Sequence, residues 1–375
     1  MEIEVMKRLV SVLTAAAAAA AIAGCGAHPF IPAAATAYSQ HAKATKLSAP
    51  LLGVDVYSET PYPAAQAAAL GTPILHYLKA TLKAQVAGLM FDLCTANFHS
   101  ETVTTCKSNV ATGTGSMSPD AILALANQAK AEGLQVAMRP IIRVGSPTGW
   151  SNPNKSWEGH LDPSSVYKFL TSLLKAELPY LKIAKQVHAE QFVLTTELQN
   201  VRYSPAWLAF LSKAQKDCGC QVSYSAYESQ YLRNSATLAP TKALGVDLYP
   251  AFSLPSSASQ ARVTAAWENA LSGVSESRLE RTTLDEVSIR GTAGAYKHPQ
   301  AWNDNGKAAP KVQARYFTAA CATAAHYHMR ALFFYFVPLN DSVATPIQFP
   351  AYFVRNAGSK AIAGCRPILA KGAVK

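Results

Sequence analysis

After residue 23 the sequence has no apolar run long enough to cross a bilayer, and acids are scarce, with 23 Asp and Glu against 34 Lys and Arg. It has no Gly-rich phosphate loop, which argues against an open nucleotide-binding sheet. No arginine-rich run occurs and the basic residues stand singly along helical segments, so nucleic acid is not an expected partner. No 20-to-50-residue repeat of the solenoid kind is visible. Cys218-Gly219-Cys220 has no matching second pair of ligands nearby, which speaks against zinc. His326 and His328, two apart on one helix, point different ways, so no metal is expected there, and no cofactor is implied.

What is present begins with an export pattern. Lys7 and Arg8 precede the alanine-rich run Leu9 to Ala23, too short for a comfortable span, and Ile22-Ala23-Gly24-Cys25 resembles a bacterial lipobox. Residues 1–25 are therefore expected to be a lipoprotein signal peptide with Cys25 as the lipidated residue; ordinary secretion with a chance cysteine is the alternative. Residues 26–49, rich in Ala, Pro, Ser and Thr and without sustained periodicity, are expected to be a tether. Residues 50–375 are expected to form one domain. The anticipated location is the extracytoplasmic face of the cell membrane, with the membrane reached through the lipid anchor and the protein acting as a monomer. A formal charge of +11 would favour anionic headgroups, acidic wall polymers or an acidic glycan, or would simply be a basic surface.

Seven cysteines, less Cys25, leave six, an even number for an oxidising compartment. Cys94 and Cys106 bracket a short polar loop and are the expected pair. Cys218, Cys220, Cys321 and Cys365 remain, with competing connectivities that spacing does not separate.

Short β-branched or apolar runs alternate with amphipathic segments, the pattern of a parallel sheet covered by helices. The expected strands are Leu51 to Tyr57, Val86 to Leu93, Leu134 to Ile141, Gln191 to Glu197, Gln221 to Ala226, Leu244 to Tyr249, Arg281 to Val287 and Arg330 to Val337. Helices are expected over Pro73 to Ala84, Ser118 to Glu132, Ser164 to His188, Pro205 to Asp217, Ala258 to Ser272 and Lys311 to His328. Ser118-Pro119-Asp120 supplies an N-cap, a first-turn proline and an early acid, and Gly133 stops that helix. Eight strand-helix units predict an α/β fold, a single-domain (β/α)8 TIM barrel. The longest connections, Cys94 to Met117, Arg143 to Asp162 and Arg290 to Pro310, all follow strand C-terminal ends, where such barrels build their clefts.

Two glutamates stand out. Glu197 ends the fourth expected strand in Phe192-Val193-Leu194-Thr195-Thr196-Glu197, and Glu286 ends the seventh in Thr283-Leu284-Asp285-Glu286. Strands four and seven face each other across a barrel. A retaining glycosidase needs two carboxyl groups about 5 Å apart, one to protonate the leaving oxygen and one to attack the anomeric carbon. A salt-bridged rim position is the bland alternative for each glutamate.

The succession Gly133-Leu134-Gln135-Val136-Ala137-Met138-Arg139-Pro140, Trp157-Glu158-Gly159, Thr196-Glu197-Leu198 and Glu286-Val287-Ser288-Ile289-Arg290 resembles the motifs of glycoside hydrolase family 113 β-mannanases, in order and spacing over roughly Leu51 to Pro350. That family belongs to the 4/7 clan of retaining enzymes. The resemblance implies that Glu197 is the acid/base and Glu286 the nucleophile. It departs at Ser288-Ile289-Arg290, where the family commonly has Gly-Tyr-Arg, and at Phe334, Tyr335 and Phe336, where it tends to carry tryptophan.

Around the pair, Trp150 and Trp157 are candidate sugar platforms, since an indole face covers the C–H surface of a pyranose. Arg139 is placed to hydrogen-bond the nucleophile or a substrate hydroxyl. Tyr249 resembles the clan's tyrosine that orients the nucleophile, and Trp302, with His298, is expected on the leaving-group side. The expected activity is hydrolysis of a β-linked mannan- or glucan-type polysaccharide or oligosaccharide. The rival is a lipoprotein on the same scaffold that binds glycan without cutting it.

Overall fold

Alternation with a period of two decides which side chains enter the barrel and which meet the helices. The computed structural model describes residues 49–107, 113–145, 157–201, 205–233, 243–301, 306–342 and 357–372, all within one unit, Lys46–Lys375. Its strands are β1 (Leu51–Tyr57), β2 (Val86–Thr95), β3 (Val103–Thr105), β4 (Gln135–Val144), β5 (Gln191–Thr196), β6 (Gln221–Tyr227), β7 (Leu244–Asp247), β8 (Thr282–Val287) and β9 (Ala331–Pro338). All are parallel except β3, which pairs antiparallel with the end of β2, Cys94 facing Thr104. The eight parallel strands close because β1 pairs with both neighbours, Gly53 beside Val86 and Leu51 beside Ala331. The fold is a TIM barrel.

Helices α1 (Ala64–Ala80), α2 (Pro119–Ala131), α3 (Val166–Gln186), α4 (Pro205–Cys218), α5 (Glu228–Leu232), α6 (Gln260–Leu271), α7 (Glu276–Leu279), α8 (Pro310–His326) and α9 (Ala357–Gly372) follow in chain order. Ser118 caps α2 by accepting from the Ala121 N–H at 3.2 Å, and Gly133 ends that segment at φ 71°. The expected start at Pro73 is corrected: α1 begins at Ala64 and carries Pro73 inside it. Its alanine-rich first half favours the helix, and Ile74, Leu75 and Leu78 bury its second half, which together tolerate a proline lacking the N–H for one internal bond.

Leu52, Val54 and Val56 of β1, with Leu89, Phe91 and Leu93 of β2, point outward into the main core under the helices. The intervening residues line the interior in layers. Val86, Ala137, Ala331 and Phe333 form an apolar bottom layer, and Tyr57, Met90, Ile141 and Tyr335 form a layer near the mouth. Between them the barrel is polar: Asp55, Arg139, Gln191, Ser225, Asp247 and Asp285 are all buried. Glycine makes room for two of these acids. A Cβ at Gly88 would overlap the Asp55 carboxylate and one at Gly245 the Asp285 carboxylate.

The three expected long connections follow the C-terminal ends of the second, third and seventh barrel strands, β2, β4 and β8. Cys94 and Cys106 are joined across the first, with Cα atoms 4.9 Å apart. The open connectivity resolves to Cys218 with Cys220 and Cys321 with Cys365, the latter tying α8 to α9.

Candidate active site

Glu197 leaves β5 with φ 54°, in the left-handed region that a side chain adopts only at a cost of order 1 kcal/mol or more. Its N–H donates to the Ser225 carbonyl at 2.8 Å, fixing the turn against β6. One carboxylate oxygen, Oε2, accepts from the indole Nε1–H of Trp157. That indole packs edge-on against Tyr227, with ring centroids 5.3 Å apart, and against His160 at 4.7 Å. Directly before the glutamate, the Thr196 hydroxyl donates to Glu158 Oε1 at 2.8 Å.

Glu286 lies in β8 opposite Asp247 of β7. Its Oε1 is 2.7 Å from Nη2 of Arg139, and its Oε2 accepts from the Tyr249 hydroxyl. The same Nη2 reaches both oxygens of Asp247 at 2.8 Å, while Nη1 donates to the Asp285 carbonyl at 2.9 Å. Ser225 adds a further donor to Asp247 at 2.7 Å. Arg139 is only 3% exposed. Burial works against its charge, but Asp247, Glu286, Asp55 and Asp285 outweigh that and hold it cationic.

The electrostatics separate the two glutamates. Burial lifts Glu197 well above the ordinary carboxylate range, and the charges of Asp247, Glu158 and Glu286 lift it further against the Trp157 donor. Burial also lifts Glu286, to about 8, but Arg139 and the Tyr249 donor pull it down while Asp247 pushes up. Among the described residues a cation and a hydroxyl bind Glu286 and neither binds Glu197, which makes Glu286 the group that gives up its proton first. Below them burial raises Asp285 to about 7 and Asp55 well above the usual range, each opposed chiefly by Arg139. One arginine among four carboxyl groups cannot hold them all ionised.

A second charged cluster stands at the lip. The Tyr57 hydroxyl donates to Asp92 at 2.9 Å, and Arg143 reaches Asp92 at 3.0 Å and Glu59 at 3.1 Å and donates to the Tyr57 oxygen. Phe336 packs edge-on to Tyr57 at 5.3 Å. Burial raises Asp92 to about 6, with Arg143 and Tyr57 opposing.

The structure thus brings Glu197, Glu286, Arg139, Trp157 and Tyr249 into one mouth. Trp157 directs its indole edge at Glu197. Arg139 lies mid-strand rather than at a strand end, because β4 continues to Val144, and Tyr249 stands two residues beyond β7, which stops at Asp247. Trp150, Trp302 and Cys25 lie outside the described residues. Asp247, Glu158, Ser225 and the Arg143 cluster were not singled out in the sequence. The inward phase shared by Gly245, Asp247 and Tyr249 was the available signal for Asp247.

Comparison with known proteins gives a consistent assignment. No curated protein matches the sequence. A solved GH113 β-1,4-mannanase is 14% identical, aligned over 85% of this chain and 99% of its own with a TM-score of 0.69. The GH113 β-mannanase from Alicyclobacillus acidocaldarius is 15% identical over 86% and 99%, with a TM-score of 0.66. An endo-1,4-β-mannanase from Rhizomucor miehei reaches 0.52 at 9% identity, over 86% of this chain and 95% of its own. At these identities the likeness speaks for the fold. The profile of Glycoside Hydrolase Family 113 matches residues 67–336, a span that includes both glutamates, and the chain belongs to Glycoside Hydrolase Family 113.

Proposed function

We propose that the protein is a retaining β-glycoside hydrolase, with Glu286 as nucleophile and Glu197 as general acid/base, acting on a neutral β-linked glycan of the mannan type. The observation that carries this reading is the asymmetry of the pair: among the described residues Glu286 takes Arg139 and Tyr249, and Glu197 takes the Trp157 N–H. In the first step a Glu286 oxygen attacks the anomeric carbon while the glycosidic C–O bond breaks and the Glu197 proton passes to the leaving oxygen. In the second, Glu197 takes a proton from water, the water oxygen displaces Glu286, and the anomer is retained. Arg139 and Tyr249 favour the ionised form of the attacking carboxylate against burial and aim it. Arg139 and Arg143 are each engaged by two carboxylates, Asp247 with Glu286 and Asp92 with Glu59, which supports a neutral rather than an acidic substrate. The relatives named as β-mannanases support mannan as the first substrate to try. Export and anchoring through Cys25 are proposed on the sequence pattern alone.

The test is a panel of β-linked polysaccharides and activated aryl β-glycosides, with the first-formed anomer followed by NMR. Glu286→Ala should abolish turnover, with azide restoring an inverted product. Glu197→Ala should still form the intermediate from the aryl glycoside, and azide should then give a retained product. Full activity in either variant, or inversion by the unmodified protein, would reject the assignment. Retention in a polysaccharide gel without any hydrolysis would point instead to a glycan-binding protein.

A further inference from the structure

A third carboxyl group faces the pair. Glu158 opens the single 3-10 turn Glu158–His160, directly after the tryptophan that donates to Glu197. The turn is tied at both ends: the His160 N–H donates to the Trp157 carbonyl at 3.2 Å and the Leu161 N–H to the Glu158 carbonyl at 3.0 Å. Gly159 leaves space into which the Trp157 ring folds back. Trp157 and Glu158 therefore reach the same strand end together, one binding Glu197 and the other gripping Thr196 beside it. Glu158 is 8% exposed.

We propose that Glu158 is a positioning residue for the acid/base step, a buried third carboxylate whose negative charge keeps the proton on Glu197 until a leaving oxygen takes it. The inference rests on the acid/base role proposed for Glu197. A glutamine would accept the Thr196 hydrogen bond equally well, so the hydrogen bond alone gives no reason for an acid at this buried place. The charge has a reason. The Glu158 backbone N–H and groups on three strand ends define its state: Thr196 donates to it from β5, Arg143 of β4 attracts its charge, and Asp247 of β7 repels it. Burial raises Glu158, but its own backbone N–H, the Thr196 hydroxyl and Arg143 oppose that rise. Among the described residues no cation is a principal influence on Glu197, which feels Asp247, Glu158 and Glu286 together. The negative charge therefore settles on Glu158 and the proton on Glu197. Once Glu197 has released its proton, two like charges confront each other, which makes Glu197 a stronger base toward the incoming water. Glu286 also feels Glu158, so the effect extends to both reacting carboxylates.

The experiment is a carboxyl carbon NMR titration of the full chain with labelled glutamate, beside the pH dependence of kcat/KM. In the unmodified protein Glu158 should ionise at lower pH than Glu197. In Glu158→Gln, Glu197 should titrate lower by about one pH unit, and the alkaline limb of kcat/KM should move down with it. Glu158→Asp, which keeps the charge, should hold Glu197 nearer its original value even where the Thr196 bond is lost. A structural role would weaken stability without moving the Glu197 titration. Glu197 ionising first in the unmodified protein, or standing unmoved in Glu158→Gln, overturns the proposal, and the first of these needs no variant to fold. The titration needs no turnover, so failure of hydrolysis on every glycan would reject the enzymatic reading while leaving the electrostatic one to be judged separately.

Discussion

Arg139 and Arg143 stand four residues apart on β4, about 13 Å along one strand at about 3.3 Å per residue. Both face carboxylates, yet they do different work. Arg139, at 3% exposure, is shared between Asp247 and Glu286 inside the barrel, whereas Arg143, at 16%, is shared between buried Asp92 and a Glu59 that is 47% exposed. Depth is the difference. Water screens part of the outer cluster and relieves any charge left over, but the inner cluster must balance itself. The same two chemical groups therefore set the state of a reacting carboxylate at one level and organise the lip at the other.

The sharpest way to break the comparison is Arg139→Met. It strands Asp247 and Glu286 side by side in a buried layer with no cation, and breaking a buried pair in this way costs about 3–5 kcal/mol. Glu286 should then hold its proton to higher pH, and activity at neutral pH should fall by at least about a hundredfold, as a shift of about two units or more in the nucleophile would require. Denaturant unfolding and a pH profile of kcat/KM report the two effects. Stability and rate both within a factor of two of the parent would show that the inner cluster is no more demanding than the outer one.

A second test sharpens the role of burial through pH. Asp285 is pushed up to about 7 in the folded protein by burial, against Arg139, while an unfolded aspartate titrates near 3.9, or about 4. Below about pH 4 both states are protonated and the group costs nothing. As pH rises from there toward 7 the unfolded chain releases a proton that the folded one keeps, so stability falls through this window and levels off above it. Asp285→Asn should remove this slope and gain stability at pH 7.5 relative to pH 4.5, measured by thermal unfolding at both. An undiminished slope would mean that the inner layer is not storing a proton at Asp285.

Much of this architecture was legible in the sequence, and the reasons differ by element. All eight barrel strands were found because alternation and apolar runs report one chain segment at a time. Their ends were less visible: β4 runs past Ile141 to Val144, carrying Arg143 into the lip, because β2 supplies a partner as far as Thr95. Helix α9 is not legible in the sequence, since Gly358, Gly364 and Pro367 lower its propensity and the packing of Cys365 and Ile362 in the core compensates only in the folded state. Glu197 and Glu286 were visible because a carboxylate ending an apolar strand is locally odd. Asp247 was not, because its partner Arg139 is 108 residues away and only barrel closure joins them. Glu158 falls within the Trp157-Glu158-Gly159 motif, but its meaning depends on Thr196 and Arg143 from other strands.

The smallest expected effect is at the outermost carboxylate. Glu59 meets Arg143 at 3.1 Å, yet nearly half of its side chain is in water and Arg143 keeps Asp92 and Tyr57 without it. An exposed ion pair of this kind contributes about 0–1 kcal/mol, because solvation of the separated charges almost matches their attraction. Glu59→Gln should therefore change stability by less than about 1 kcal/mol, and added salt should shrink even that difference, since exposed charges are screened over about 8 Å at physiological ionic strength. Turnover should stay close to the parent value, because neither glutamate of the proposed pair counts Glu59 among its principal influences. Chemical denaturation at low and high salt, with kcat/KM measured in parallel, checks both statements. A salt-independent loss of several kcal/mol would mean that the lip cluster is as sealed as the interior one, and depth would no longer explain why the two arginines differ.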